Sequence, residues 1–249
     1  MDSKEKYSLA LDFHENSKVP LSSQKFDHRV QYKIYPNSKT ILLDNNQYLK
    51  QQCDNSLLHT LFERKSTRDF SPENVELKIL SRLLTLSFGR KYDEKDPKLR
   101  TYASAGARYP IEVYVIMLRS DDIELGIYHH NIWDNTLEII KTGDFTDEVT
   151  HFYSNQSEYL DMKFPCLILF SMIQERTMQK YGERGYRFIL IDAGHMSQNL
   201  YLIATYLNLG VVALGAGIEN DGMLDDILGL SYNEESAFYG FAVGYPQKQ

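Results

Sequence analysis

The stretch Glu63-Arg64-Lys65-Ser66-Thr67-Arg68-Asp69-Phe70 sets three cations and two hydroxyls in five consecutive positions. A run with Leu57, Leu58 and Leu61 at helical spacing precedes it, and a Ser71-Pro72 turn follows. In an extended segment alternate side chains point the same way, so Arg64, Ser66 and Arg68 face one side. Two guanidinium forks and a hydroxyl on one side suit a phosphate dianion, because arginine pairs phosphate oxygens bidentately. Taken alone, the run reads more simply as a solvated charged loop. Its weight comes from what stands elsewhere in the chain.

The Arg-x-Ser-x-Arg pattern is similar to the phosphate-binding signature of the nitroreductase-like flavoproteins. Four further stretches narrow the resemblance: Phe13-His14-Glu15-Asn16-Ser17-Lys18, Ala103-Ser104-Ala105-Gly106-Ala107-Arg108-Tyr109-Pro110, Gly126-Ile127-Tyr128-His129-His130, and Phe241-Ala242-Val243-Gly244-Tyr245-Pro246 shortly after Leu228-Gly229-Leu230. In this order they resemble the SagB-type (McbC-like) dehydrogenases, FMN oxidases of thiazole/oxazole-modified peptide biosynthesis. The resemblance runs from about His14 to Pro246. Each motif is short; the five in order carry the argument.

The resemblance implies FMN as cofactor, with Arg64, Lys65, Ser66 and Arg68 at its phosphate. Ser104, Ala105 and Gly106 match the family's ring-binding turn, although composition alone gives an ordinary tight turn. A backbone amide donating to flavin N5 carries over to Gly215 and Ala216 in Leu214-Gly215-Ala216-Gly217-Ile218. Related sequences usually read Ile-Gly-Gly-Phe-Asp there, so which amide donates stays open. Lys248 could add charge near the phosphate, but reads more simply as a solvated tail lysine. The adjacent pair Lys180-Tyr181 resembles the Lys-Tyr of the azoline oxidases. By composition alone it sits in a charged loop entering a helix. Aromatising an azoline removes a ring proton as well as a hydride, so a lysine base and a tyrosine that orients or relays the proton fit the chemistry. The expected catalytic residues are therefore Lys180 and Tyr181.

Composition sets the outer limits. A chain of 249 residues with 43% hydrophobic and 24% charged residues belongs to the ordinary globular class, with enough length for a core without disulfides or metals. A net charge of −7 argues against nucleic acid as the main partner. Cys53 and Cys166 lack CxxC spacing, and Cys166 sits in an apolar run that reads as a buried strand. Adjacent His129 and His130 point to opposite faces of a strand, so no metal is expected. His195 reads as a packing histidine. With no signal pattern at the N-terminus and no apolar run of membrane length, a cytoplasmic protein is expected.

The chain divides into a polar N-terminal arm, residues 1–50, and one FMN-binding domain, residues 51–249, without repeats or linker. Within the arm, Tyr7, Leu9, Leu11 and Phe13 suggest a short strand, and residues 32–43 an extended segment around a Pro36 turn. A helix capped by Asn55-Ser56 delivers Arg64, and a second starts at Ser71-Pro72-Glu73-Asn74 and stops at Gly89. Residues 90–100, with the Asp96-Pro97 breaker, read as a mobile surface loop. Strands are expected at 111–118, 166–171, 210–214 and 238–245, with a hairpin of 126–130 and 136–140 turning at Trp133-Asp134-Asn135. Helices are expected at 145–161, on the surface, at 223–228, and over Tyr186 to Leu207, where Ile189, Ala193, Met196, Leu200 and Ile203 form an apolar face. Gly194, Ser197 and Ala204 would let another helix approach it closely.

Strict βαβ alternation is missing and no Gly-x-Gly-x-x-Gly follows a strand, so an α+β domain with a central, mainly antiparallel sheet fits best. By resemblance this is the nitroreductase-like fold, with the long helix at the core of a homodimer. The expected function is FMN-dependent oxidation of peptide thiazolines or oxazolines, with a precursor peptide and cyclodehydratase proteins as partners and no membrane or nucleic acid. The alternatives are an NAD(P)H-dependent nitro or quinone reductase and a non-catalytic scaffold subunit.

Overall fold

The computed structural model describes residues 33–43, 57–91, 98–154, 160, 163–215, 222–231 and 234–247. The strands are β1 (Thr40–Leu42), β2 (Ile111–Met117), β3 (Gly126–Asn131), β4 (Thr136–Thr142), β5 (Cys166–Met172), β6 (Gly210–Leu214) and β7 (Ser236–Gly244). The helices are α1 (Leu57–Glu63), α2 (Leu77–Phe88), α3 (Thr146–Phe152), α4 (Glu175–Tyr181), α5 (Arg184–Tyr206) and α6 (Gly222–Leu228), and a 3-10 turn spans Ala105–Ala107. The strands form one sheet in the order β1-β4-β3-β2-β5-β7-β6, antiparallel throughout. This is the α+β architecture expected from the sequence.

Every residue of β2, β3 and β5 is buried, because both faces of the sheet are covered. Ile111, Val113, Val115 and Met117 of β2 pack with Leu80, Leu84 and Phe88 of α2 and with Ile189, Met196 and Leu200 of α5. The alternate residues Tyr114 and Ile116 face the opposite layer, which holds Phe152 of α3 and Leu224 of α6. Period-two alternation thus feeds two cores at once, and β2 reads as a continuous apolar run. Cys166 is fully buried, and burial pushes its thiol up to about 12, which makes it a packed thiol rather than a nucleophile.

Several boundaries differ from the sequence expectation. The second helix begins at Leu77, not at Ser71-Pro72: the Ser71 hydroxyl accepts from Glu73 N–H at 3.1 Å in a local turn, and Asp122 instead caps Leu77 N–H at 2.7 Å. Val75, expected on that helix, is buried just ahead of it. Lys180 and Tyr181 are not in a loop but close helix α4, which ends where Gly182 takes φ 57°. In the segment expected to be a surface helix, α3 stops at Phe152 and buries Val149 and Phe152. Arg90 and Arg100 bridge the base of the 90–100 segment, and Arg100 is buried rather than solvated. His195 is exposed, not packed in the core; its Nδ1 donates to Ala103 O at 2.9 Å. Residues 13–18, the arm positions up to 32, the Asn55-Ser56 cap, Cys53, the Asp96-Pro97 breaker, Ala216 and Lys248 lie outside the described residues.

Candidate active site

Helix α1 ends at Glu63, and the cationic stretch then runs along the edge strand β6. Ser66 bridges Val211 in parallel, Thr67 N–H donates to Val211 O at 3.0 Å, and Ser71 N–H to Tyr245 O at 2.9 Å. Strand-like alternation follows, with Thr67 turned inward and buried. Arg64 lies over the ring of Tyr201 on α5, 5.5 Å from its centroid, and the Ser66 hydroxyl stands 3.5 Å from the Tyr201 hydroxyl. That same hydroxyl accepts Ala213 N–H at 2.7 Å, so Tyr201 ties the clamp to β6. Arg68 is exposed. Lys65 instead lines a cleft with His59, Glu63, Thr205 and Asn208. The structure thus gathers Arg64 and Ser66 around Tyr201 and sets Lys65 apart.

The second cluster is the turn Ser104–Ala107, held by one flank of α5. Asp192 accepts from the Ser104 hydroxyl at 2.5 Å and from Ala105 N–H at 3.2 Å, and Ser104 Oγ accepts Tyr109 N–H at 2.9 Å. His195 and Asn199, three and seven residues further along the helix, fasten Ala103 and Thr101. Burial raises the Asp192 pKa, an effect the Ser104 and Ala105 bonds only partly offset. Gly106 takes φ +61°, ψ 23°, the left-handed region that glycine enters without strain.

Gly106 is also where Lys180 and Tyr181 arrive. A methyl group at Gly106 would stand 2.7 Å from Lys180 Nζ and would overlap the Tyr181 hydroxyl. The predicted ring-binding turn and the predicted catalytic pair, 74 positions apart in sequence, therefore form one site. Tyr181 packs edge-on against Phe188 of α5, with centroids 4.9 Å apart. Two bonds running in opposite directions clasp α4 to the turn: Arg108 Nε donates to Arg176 O at 2.6 Å, and Arg176 Nη1 donates to Tyr109 O at 3.1 Å.

Behind the clasp lies a row of buried charge. Arg176 also pairs with Glu112 on β2, whose other oxygen meets His129 Nε2 at 3.0 Å. His129 Nδ1 meets Glu138 at 2.9 Å. Burial would raise the Glu112 pKa, but Arg176 and His129 outweigh it and hold the carboxyl well below the usual range. Burial likewise opposes charge on His129, yet its two carboxylates raise its pKa. His130 points the other way and bonds Asn135; burial lowers its pKa to about 4. Among the described residues no group of three or more His, Cys, Asp or Glu is placed to hold a metal.

Gly215 follows β6 in the wall of a cavity of about 230 Å³, beside Tyr239, Gly240 and Tyr153. Tyr239 packs tilted against Phe241 with centroids 4.5 Å apart, and Phe241 lies edge-on to Tyr201 at 6.4 Å, so an aromatic row joins β7 to α5. Sequence reasoning missed Tyr201, Asp192 and Arg176. Only Asp192 gave a signal, as an acid flanking the apolar face of α5.

The residues present fit a phosphate-bearing flavin. A guanidinium and a hydroxyl converge beside Tyr201, and at Gly106 the lack of a side chain lets Lys180 and Tyr181 come up to the turn. Comparison with known proteins agrees with the fold. The chain is 33% identical to a Methanocaldococcus jannaschii protein described as a nitroreductase, over 65% of this chain and 79% of that one. It is 25% identical to the microcin B17-processing protein McbC of Escherichia coli, over 81% and 77%. It is 28% identical to the trifolitoxin-processing protein TfxB of Rhizobium leguminosarum, over 69% of this chain and about half, 48%, of that relative. Among solved structures it resembles a nitroreductase of Anabaena variabilis, TM-score 0.74 at 24% identity, over 95% of this chain and 47% of that one. It also resembles a chain of the E. coli microcin synthetase McbBCD complex with truncated pro-MccB17 bound, TM-score 0.67 at 20% identity, over 99% and 95%. An FMN-bound nitroreductase of Desulfovibrio desulfuricans shares the fold at TM-score 0.54 and 20% identity, over 78% and 88%. The nitroreductase family model matches residues 61–245, most of the chain, which therefore belongs to the nitroreductase family.

Proposed function

We propose that this protein is an FMN-dependent dehydrogenase that oxidises thiazoline or oxazoline rings of a ribosomal peptide to thiazoles or oxazoles. The observation that carries the reading is the placement of Lys180 Nζ and the Tyr181 hydroxyl against the Gly106 turn. A flavin reductase whose substrates accept hydride directly has no need of a base there. The names of McbC and TfxB, both peptide-processing proteins, favour the same chemistry. The ring loses one hydrogen as a proton and the neighbouring one with its electron pair, and the carbon–carbon double bond forms between them. FMN, when bound, supplies the hydride acceptor, and oxygen takes the electrons onward. Lys180 takes the proton, and Tyr181 orients or relays it. Arg64, Ser66 and Arg68 would hold the phosphate of FMN, and Ser104, Ala105, Gly106 and Gly215 would lie along its ring.

The site is completed, in this proposal, by a second copy of the chain. Asp192 and Tyr201 are nine residues apart on α5, half a turn round the helix, so clamp and turn lie on opposite flanks. On α5 Leu190 and Ile191 are 43% and 52% exposed, and a side chain at Gly194 would meet open space. Ser197 and Ala204, in contrast, face the core. Pairing two copies through the outer face of α5 would bring one protomer's clamp to the other's turn. The precursor peptide and cyclodehydratase subunits are the proposed partners, in line with the McbBCD complex. The test combines the visible spectrum of the purified protein with Lys180→Ala. The reading requires a two-banded flavin spectrum, release of FMN, and a variant that keeps the flavin but forms no azole. A variant that loses its flavin would remove the catalytic assignment of Lys180.

A further inference from the structure

We propose that Arg176, locked to Glu112, is the positioning residue that sets Lys180 and Tyr181 against the Gly106 turn. The proposal rests on the reading of Lys180 as the base. Helix α4 has seven residues and among them buries only Thr177, so apolar packing alone fixes its place weakly. Beside the contact of Tyr181 with Phe188, its attachment is polar. Arg176 stands one turn before Lys180, on the same side of the helix. Its guanidinium reaches Tyr109 O and Glu112, while its carbonyl accepts Arg108 Nε at 2.6 Å. Ile173 N–H continues the attachment to Pro110 O at 2.8 Å. Tyr109 and Pro110 follow directly on the turn that carries Gly106, so one residue couples the helix bearing the base to the loop bordering the ring.

Glu112 gives the anchor its rigidity. It is 3% exposed in the fully buried strand β2, and its second oxygen is held by His129, which Glu138 backs in turn. A buried charge row of this kind is a poor source of net stability, since desolvation offsets most of the attraction. It does fix geometry. The positioned group is a lysine whose Nζ must meet a ring proton at hydrogen-bond range, and misplacement by about 1 Å can cost on the order of a hundredfold in rate.

The experiment compares holoprotein carrying Arg176→Gln, Arg176→Lys or Glu112→Gln with the unmodified protein, using a synthetic peptide that contains one thiazoline. Lys180→Ala serves as control. The proposal requires Arg176→Gln to lower the rate of thiazole formation by ~10-fold or more with unchanged KM. FMN content and FMN dissociation constant should stay the same, with faster amide hydrogen exchange confined to residues 175–182. Arg176→Lys, which keeps the pairing with Glu112, should recover part of the rate. Full turnover in Arg176→Gln overturns the proposal. So does loss of flavin or protection spread over the whole fold, because the residue would then serve folding alone. If Arg176→Gln gives no folded protein, Glu112→Gln decides on the same readouts. Unimpaired Lys180→Ala would instead fault the reading of the base, a distinct outcome.

Discussion

Gly106 shows how one missing side chain makes room for two neighbours, Lys180 and Tyr181. Its φ of +61° favours glycine, and an added methyl group would meet Lys180 Nζ and the Tyr181 hydroxyl. Gly182 also has a positive φ, 57°, though with ψ −150°, and has open space around it. Alanine at either position should therefore cost about 1–3 kcal/mol of backbone strain, seen as a lower thermal midpoint. Under the proposed function, only Gly106→Ala should also suppress azole formation, because only there must Lys180 and Tyr181 move. Equal loss of turnover in both would contradict the close approach. The clamp and the Lys-Tyr pair were legible as sequence patterns, since their residues are neighbours in the chain. Tyr201, Asp192 and Arg176 were not, because their partners Ser66, Ser104 and Glu112 lie 135, 88 and 64 positions away.

At the level of elements, the central strands could be read directly from their β-branched and aromatic runs, and the hairpin from its turn. Helix α4 could not, because with a single buried residue it shows no apolar period. The start of α2 was misplaced because its cap, Asp122, is supplied from 45 positions away. The charge row across β2, β3 and β4 was equally hidden, yet it sets a pH response. The raised pKa of His129, won by its two carboxylates against burial, means the folded state holds a proton the unfolded chain releases sooner. Its stabilisation is complete below the ordinary histidine value of about 6.5 and is lost as pH rises through the raised value. The urea midpoint should accordingly fall on the alkaline side of pH ~6.5, and His129→Gln should remove that step. A midpoint that stays level there in the unmodified protein would rule out a charged, doubly paired His129.

For the whole molecule, the pairing proposed through α5 would make the dimer a functional requirement, because clamp and turn lie on opposite flanks of that helix. Co-expression of two inactive chains tests this. One carries Lys180→Ala; the other carries Arg64→Ala, Ser66→Ala and Arg68→Ala together. If clamp and base come from different protomers, a mixed dimer holds one intact site and regains up to half the activity of an unmodified dimer. If each protomer builds its own site, the mixture stays inactive. The sequence offered the long helix and its small residues, but which of those face outward is settled only by the register of α5 against the sheet: Gly194 does, while Ser197 and Ala204 are buried.

The most direct measurement is the mass of a synthetic thiazoline-containing peptide after incubation in air with the purified holoprotein, with NADPH-driven flavin bleaching followed in parallel. Azoline dehydrogenation predicts a peptide lighter by two hydrogens, no such change with Lys180→Ala, and slow bleaching by NADPH. An unchanged peptide together with rapid bleaching by NADPH would contradict it and make the protein a nitro or quinone reductase of the same family.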